Sequence, residues 1–200
     1  MSTKRGPASD LSLVVSWLAL LWVIFAIDIA LRAFANIWIA EWLGLRPGHI
    51  DGLVGIGTAH LLHASLAHII ANSVGLLVLG WLACASSRTL TALAVLYSAL
   101  SAGIFTWCSG LVHPTNVVHI GASGIAFGLV GFLLANALFR RGCLPVFLGV
   151  LVFVLFAGSL IAMFPPAEGA TVQAVSWQMH LGGFIGGVMA SWQLRRRTAA

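Results

Sequence analysis

Of the 200 residues, 60% are hydrophobic and only 8% are charged, and the mean hydropathy is +1.02. A soluble domain of this length cannot hide so much apolar surface, so composition excludes a soluble globular protein and points to an integral membrane protein. Lys and Arg number ten against five Asp and Glu, an excess that membrane topology explains without a nucleic-acid partner.

Six apolar runs follow along the chain: Leu11–Ala30, Leu61–Cys84, Thr89–Trp107, Ala122–Phe139, Leu144–Met163 and Val175–Trp192. Each is close to the ~20 residues that cross a hydrocarbon core of roughly 30 Å. They predict an all-α membrane protein: a six-span bundle over residues 11–194, with short tails at 1–10 and 195–200. Any function then has to sit within the bundle.

Span 1 follows Lys4 and Arg5, as a signal peptide would, and Ala33-Phe34-Ala35 resembles a cleavage site. Its apolar stretch exceeds the h-region of such peptides, and Asp28 and Arg32 intervene before the Ala-x-Ala, so an uncleaved span is expected. Asp28 and Arg32 lie four apart on one helical face, where an ion pair offsets the cost of burial. The sharper alternative is that Asp28 orients a catalytic histidine.

The connection Asn36–Gly52, "NIWIAEWLGLRPGHIDG", mixes Trp38 and Trp42 with Glu41, Arg46 and Asp51. Tryptophans of this kind favour the headgroup region, which predicts a short helix lying in the interface. Span 2 opens on "HLLHASLAHIIAN", with His60, His63, His68 and Asn72. His68 and Asn72, four apart, share a helical face, whereas the helical wheel turns His63 well away from His68 and suggests a structural hydrogen bond for it. Between spans 3 and 4, Ser109–Gly121 carries His113, Pro114, Asn116 and His119 and is expected to be a loop that dips back. His60, His113 and His119 are read as structural or loop residues.

Span 4 opens on "HIGASGIAFGLVG", and span 6 contains "HLGGFIGG". Three readings of Ser123 compete: a residue in a small-residue packing face, a polar filler, or a nucleophile. The connection before span 6, Phe164–Gln173, carries Pro165-Pro166, which should stop span 5. Cys84, Cys108 and Cys143 show no metal-like spacing, and neither a metal, a cofactor nor a disulfide is expected.

Charge orients the bundle. Lys4, Arg5, Arg88, Arg140, Arg141 and Arg195–Arg197 all fall on one side if every run crosses, which places both termini in the cytoplasm. Spans 2, 4 and 6 then run inward, and His68, Asn72, Ser123 and His180 share the outer leaflet. Polar groups at one depth in a membrane bundle are functional candidates. Ser123 lies in the first turn of its helix, where free N–H groups favour developing negative charge. Gly121, Gly124, Gly128 and Gly131 on span 4, and Gly182, Gly183, Gly186 and Gly187 on span 6, allow close backbone approach. These are the parts of an acyl-transfer dyad: Ser123 as nucleophile, His180 as general base and then acid, and His68, Asn72 and the Ser123 N–H as oxyanion donors.

Three ordered motifs carry a family resemblance: "GASG" at Gly121–Gly124, "HASLAHIIAN" at His63–Asn72 and "HLGGFIGG" at His180–Gly187. Together they resemble the GxSG, HxxxxHxxxN and HxxGxxxG patterns of the rhomboid intramembrane serine proteases. The resemblance implies Ser123 as nucleophile, His180 as base, and an oxyanion site of His68, Asn72 and the Ser123 amide, with Gly121, Gly124, Phe127 and His63 in support. Phe127 stands where the family often has tyrosine, Val54 and Gly55 replace its Trp-Arg pair, and Met179 stands where alanine is common. The implied activity is cleavage of other membrane proteins in or near their spans. A compact chain without extra domains or an organelle presequence suits a prokaryotic plasma membrane, and no nucleic-acid partner is expected. Span 5 and the Phe164–Gln173 loop are the expected cap and gate. A non-catalytic relative that binds transmembrane segments is the alternative. A histidine-based metal transporter ranks lowest, because the span 2 histidines do not share a face.

Overall fold

A computed structural model describes residues 7–113, 115–140, 142–166 and 176–194. Tail residues 1–6 and 195–200, Pro114, Arg141 and 167–175 lie outside it, and with them most of the expected cap loop. The described chain is all-helical: α1 (Pro7–Ala35), α2 (Ala40–Leu43), α3 (Gly55–Thr58), α4 (Leu66–Ser86), α5 (Arg88–Val112), α6 (Ser123–Phe139), α7 (Cys143–Phe156) and α8 (Trp177–Leu194). Three 3-10 turns, Ile50–Val54, Ala59–Leu61 and Ala157–Met163, join or extend them. Four helical stretches are long and apolar enough to cross a membrane: Ala8–Ala35, Leu66–Ser86, Arg88–Val112 and Cys143–Met163. Helix α6 is apolar but shorter.

Local chemistry sets the helix ends. The Ser65 hydroxyl accepts the His68 N–H at 3.2 Å and caps α4, and Ser87 caps α5 by accepting from Leu90 N–H at 3.4 Å. The expected loop from Ser109 begins a turn later, because α5 continues to Val112. A residue before proline is pushed out of the helical region, and His113, with φ −128° and ψ 83°, ends the helix ahead of Pro114.

The first connection contains a short helix, α2, as its tryptophans predicted. Helix α2 is a single turn, ended by extended Gly44. The rest of the segment is tied down by tertiary bonds. Leu45 and His119 exchange backbone hydrogen bonds of 3.0 and 2.8 Å, and the Trp107 indole donates to the His49 carbonyl at 2.8 Å. Gly48, at φ +75°, packs against the Gly110 carbonyl, a backbone geometry and a proximity that a side chain would not tolerate.

Helix α8 lies between α5 and α6, and glycines on two of its faces make this possible. A Cβ on Gly182 would stand 2.9 Å from the Ser101 carbonyl of α5, and one on Gly186 would stand 2.5 Å from the Tyr97 carbonyl. On the other face, Cβ atoms on Gly183 and Gly187 would fall onto the carbonyl oxygens of Gly124 and Gly128 in α6. Lipid supplies no hydrophobic drive between helices, so dispersion contacts at short backbone separation hold such bundles together. Around this pair sits the apolar core of Leu21, Ile69, Leu79, Leu129, Phe132, Leu133 and Val152.

Candidate active site

Ser123 is the first residue of α6, preceded by Gly121 at φ +128° and by Ala122. This sharp entry is anchored by the Gly121 N–H, which donates to the Ala59 carbonyl at 2.9 Å. It leaves Ser123 part-buried on a helix terminus whose first N–H groups have no intrahelical acceptors. His180, buried at 6% exposure, projects from the first turn of α8. Its Nε2 lies 2.8 Å from Ser123 Oγ, and its Nδ1 lies 3.0 Å from the Ala162 carbonyl oxygen.

These two contacts determine the tautomer. A carbonyl can only accept, so Nδ1 carries the proton and donates it to Ala162. Nε2 is left with a lone pair directed at Ser123, so the serine hydroxyl donates to it. That is the arrangement a serine nucleophile and its base require. The Phe127 ring lies parallel to the imidazole, with centroids 4.1 Å apart and an interplanar angle of 14°. Stacking therefore holds the histidine without any hydroxyl at position 127.

His68 and Asn72, one turn apart on α4, face the Gly121 turn. A Cβ on Gly121 would be 2.6 Å from the His68 Nε2 and 3.6 Å from the Asn72 Nδ2. Gly121 thus keeps open the space between the serine turn and both side chains. The Asn72 Nδ2 is buried and has no hydrogen-bond partner among the described residues, in a place where an unmade bond is costly.

Two sequence readings need correction or completion. His63 does not point away from His68: their rings meet edge-on with centroids 5.1 Å apart. The wheel argument failed because α4 starts at Leu66, so His63 precedes the helix. Both of its ring nitrogens are buried. Ala162 was missed altogether because its contribution is a backbone oxygen. The available signal was Pro165-Pro166, which ends the preceding turn and leaves its last carbonyls without helical donors.

Other polar groups are engaged elsewhere. Asp28 pairs with Arg32 and accepts the Ile39 N–H at 3.2 Å, so its carboxylate serves the end of α1 and not the histidine. The His60 Nε2 lies 3.0 Å from the Ala99 carbonyl, and His119 belongs to the bridge with Leu45.

An all-helical bundle with a serine at the mouth of a glycine-lined helix and a histidine against it defines a class. The Rhomboid domain family matches residues 51–197 of this sequence, and the chain belongs to that family. Among its relatives are uncharacterized proteins of Mycobacterium bovis and Mycobacterium tuberculosis, the latter called Rv1337. Each is 40% identical over 157 residues, covering 76% of this chain and 63% of the relative. A Mycobacterium leprae protein is 35% identical over 94% of this chain and 73% of its own length. The Bacillus subtilis protein named "Putative rhomboid protease YdcA" is 29% identical over 75% of this chain and 70% of its own length.

Proposed function

We propose that the protein is an intramembrane serine endopeptidase that hydrolyses peptide bonds in or near the transmembrane segments of other membrane proteins. The observation that carries this reading is the 2.8 Å contact between Ser123 Oγ and His180 Nε2, with the imidazole fixed from behind by Ala162. Family membership supports the activity class, and the "Putative rhomboid protease" label of the Bacillus relative agrees with it.

In the proposed reaction, Ser123 Oγ attacks the substrate carbonyl carbon as its proton passes to His180 Nε2. The imidazolium so formed keeps its Nδ1–H on Ala162. Negative charge then develops on the carbonyl oxygen, where the Asn72 amide, His68 and the Ser123 N–H receive it. His180 next gives its proton to the leaving amine, which departs and leaves an acyl-enzyme on Ser123. A water molecule, deprotonated by the same nitrogen, attacks the acyl carbon and regenerates the serine. No carboxylate takes part, so the centre works as a dyad.

The reading includes six crossings, with the arginine-rich ends and both termini in the cytoplasm and the Ser123 side open to the outside. The span 6 role falls to α8, whose Gln178, His180 and Gln193 lower its hydropathy, and the gating role to α7 with the segment after Met163. The test is cleavage of a co-expressed single-span substrate, together with labelling by a fluorophosphonate. Wild type should cleave and label, and Ser123→Ala and His180→Ala should do neither. Cleavage by Ser123→Ala would overturn the mechanism. A folded wild type that binds the substrate but neither labels nor cleaves would establish the non-catalytic binder instead.

A further inference from the structure

Ser123 and His180 come from different helices, and each lies in the first turn of its helix, where few intrahelical bonds fix the backbone. What holds these two turns together therefore lies partly outside the dyad. The approach to Ser123 is bonded at both ends. His119 exchanges backbone hydrogen bonds of 3.0 and 2.8 Å with Leu45, and the Gly121 N–H donates to the Ala59 carbonyl at 2.9 Å. The serine turn sits where Leu45 and Ala59 put it.

Leu45 and Ala59 lie on either side of the Ile50–Val54 turn and α3, yet they share one small apolar cluster, separate from the main core. Its third buried member is Met179, and Ile56 and Trp107 pack at its margin. Leu45 and Ala59 are 0% exposed and Met179 1%. Met179 directly precedes His180, and the Ser176 hydroxyl accepts its N–H at 3.3 Å, which caps this turn of α8. Its carbonyl oxygen closes on α6, where a Cβ on Gly124 would stand 3.1 Å from it. One side chain thus connects the turn that carries the base to both anchors of the turn that carries the nucleophile. An unbranched thioether adapts to such an irregular space, and its truncation leaves a cavity that packed neighbours refill only in part.

We infer that Met179 is a positioning residue of the proposed dyad: through Leu45 and Ala59, its side chain holds the His119–Gly121 approach to Ser123 against the first turn of α8. Its effect on rate rests on the protease reading, and its effect on the serine turn rests on the packing alone. Truncating Met179 leaves Ser123, His180 and Ala162 chemically intact but frees the two turns to shift against each other. General-base assistance contributes about 10²–10⁴-fold and needs a hydrogen bond of ordinary length. A loosened contact should forfeit about tenfold of it.

The test uses the full-length protein in an uncharged detergent and reads the rate of fluorophosphonate labelling at Ser123 together with deuterium exchange at the Gly121 N–H. Met179→Ala should slow labelling about tenfold and speed the Gly121 exchange by a similar factor. Met179→Leu, which nearly conserves volume, should label within about twofold of wild type. Leu21→Ala removes a side chain of similar size from the main core on α1, and should lower the melting temperature with neither change. Leu45→Ala empties the same cluster from the other side and should act as Met179→Ala does, which serves if the Met179 variant fails to fold. Labelling of Met179→Ala at the wild-type rate would overturn the inference, as would equal slowing in Leu21→Ala or no recovery in Met179→Leu. A folded wild type that does not label would instead overturn the protease reading. The Gly121 exchange would then decide alone: faster exchange in Met179→Ala would uphold the hold on the serine turn, and unchanged exchange would overturn it.

Discussion

Adding one methyl group at Gly183 should separate the two halves of the proposed dyad. Gly183 lies on the α8 face that meets α6, three residues beyond His180, and an added Cβ would stand 1.9 Å from the Gly124 carbonyl oxygen. To reach ordinary contact, the two backbones would have to part by roughly an ångström or more. Gly124 directly follows Ser123, so this displacement falls almost wholly on the 2.8 Å hydrogen bond between Ser123 and His180. Lengthened by that amount, it no longer qualifies as a hydrogen bond. Overpacking of this kind costs about 1–3 kcal/mol of stability, and loss of base assistance should slow fluorophosphonate labelling roughly 10²–10⁴-fold. The assay pairs labelling rates with thermal melts of Gly183→Ala, of Gly187→Ala one turn deeper, and of Gly158→Ala, whose Cβ would meet nothing within 4 Å. Gly187→Ala should lose comparable stability with a smaller loss of labelling, and Gly158→Ala should lose neither. Labelling of Gly183→Ala within twofold of wild type, despite a lowered melting temperature, would refute the idea that helix separation sets the dyad geometry.

Three further outcomes are expected. Phe127→Ala removes the ring stacked on His180, worth about 0.5–1.5 kcal/mol beyond its area, and should slow labelling up to about tenfold, whereas Phe127→Tyr should label at the wild-type rate. Asp28→Asn takes the carboxylate from Arg32 and should lower stability by about 1–3 kcal/mol in thermal melts, with the labelling rate of the folded protein unchanged. Burial lowers the pKa of His119 from 6.5 to about 4, so the unfolded chain takes up a proton that the folded protein refuses. Its contribution to stability is complete above pH 6.5 and is lost as pH falls toward 4, and His119→Gln should flatten the melting curve against pH across that window.

Much of the candidate site was legible because its residues are local signals. Ser123 between Gly121 and Gly124, and His68 four residues before Asn72, state their relative placement through helical periodicity alone. His63 was misjudged for a related reason. Periodicity describes a residue only inside a helix, and Ser65 caps α4 two residues later. Ala162 was invisible because a backbone carbonyl is the same atom in every residue.

By itself, the sequence determined the all-helical membrane architecture, since apolar runs of bilayer length permit little else. It also determined which side chains can react, since hydroxyl and imidazole groups are scarce in these runs. Only the tertiary structure decided which of them meet. The glycine faces of α8 can pack against either neighbour, and it is the observed approach to Gly124 and Gly128 that sets His180 against Ser123. The same holds for Ala162. Whether a carbonyl gains a donor depends on what folds against it and not on what lies beside it in the chain.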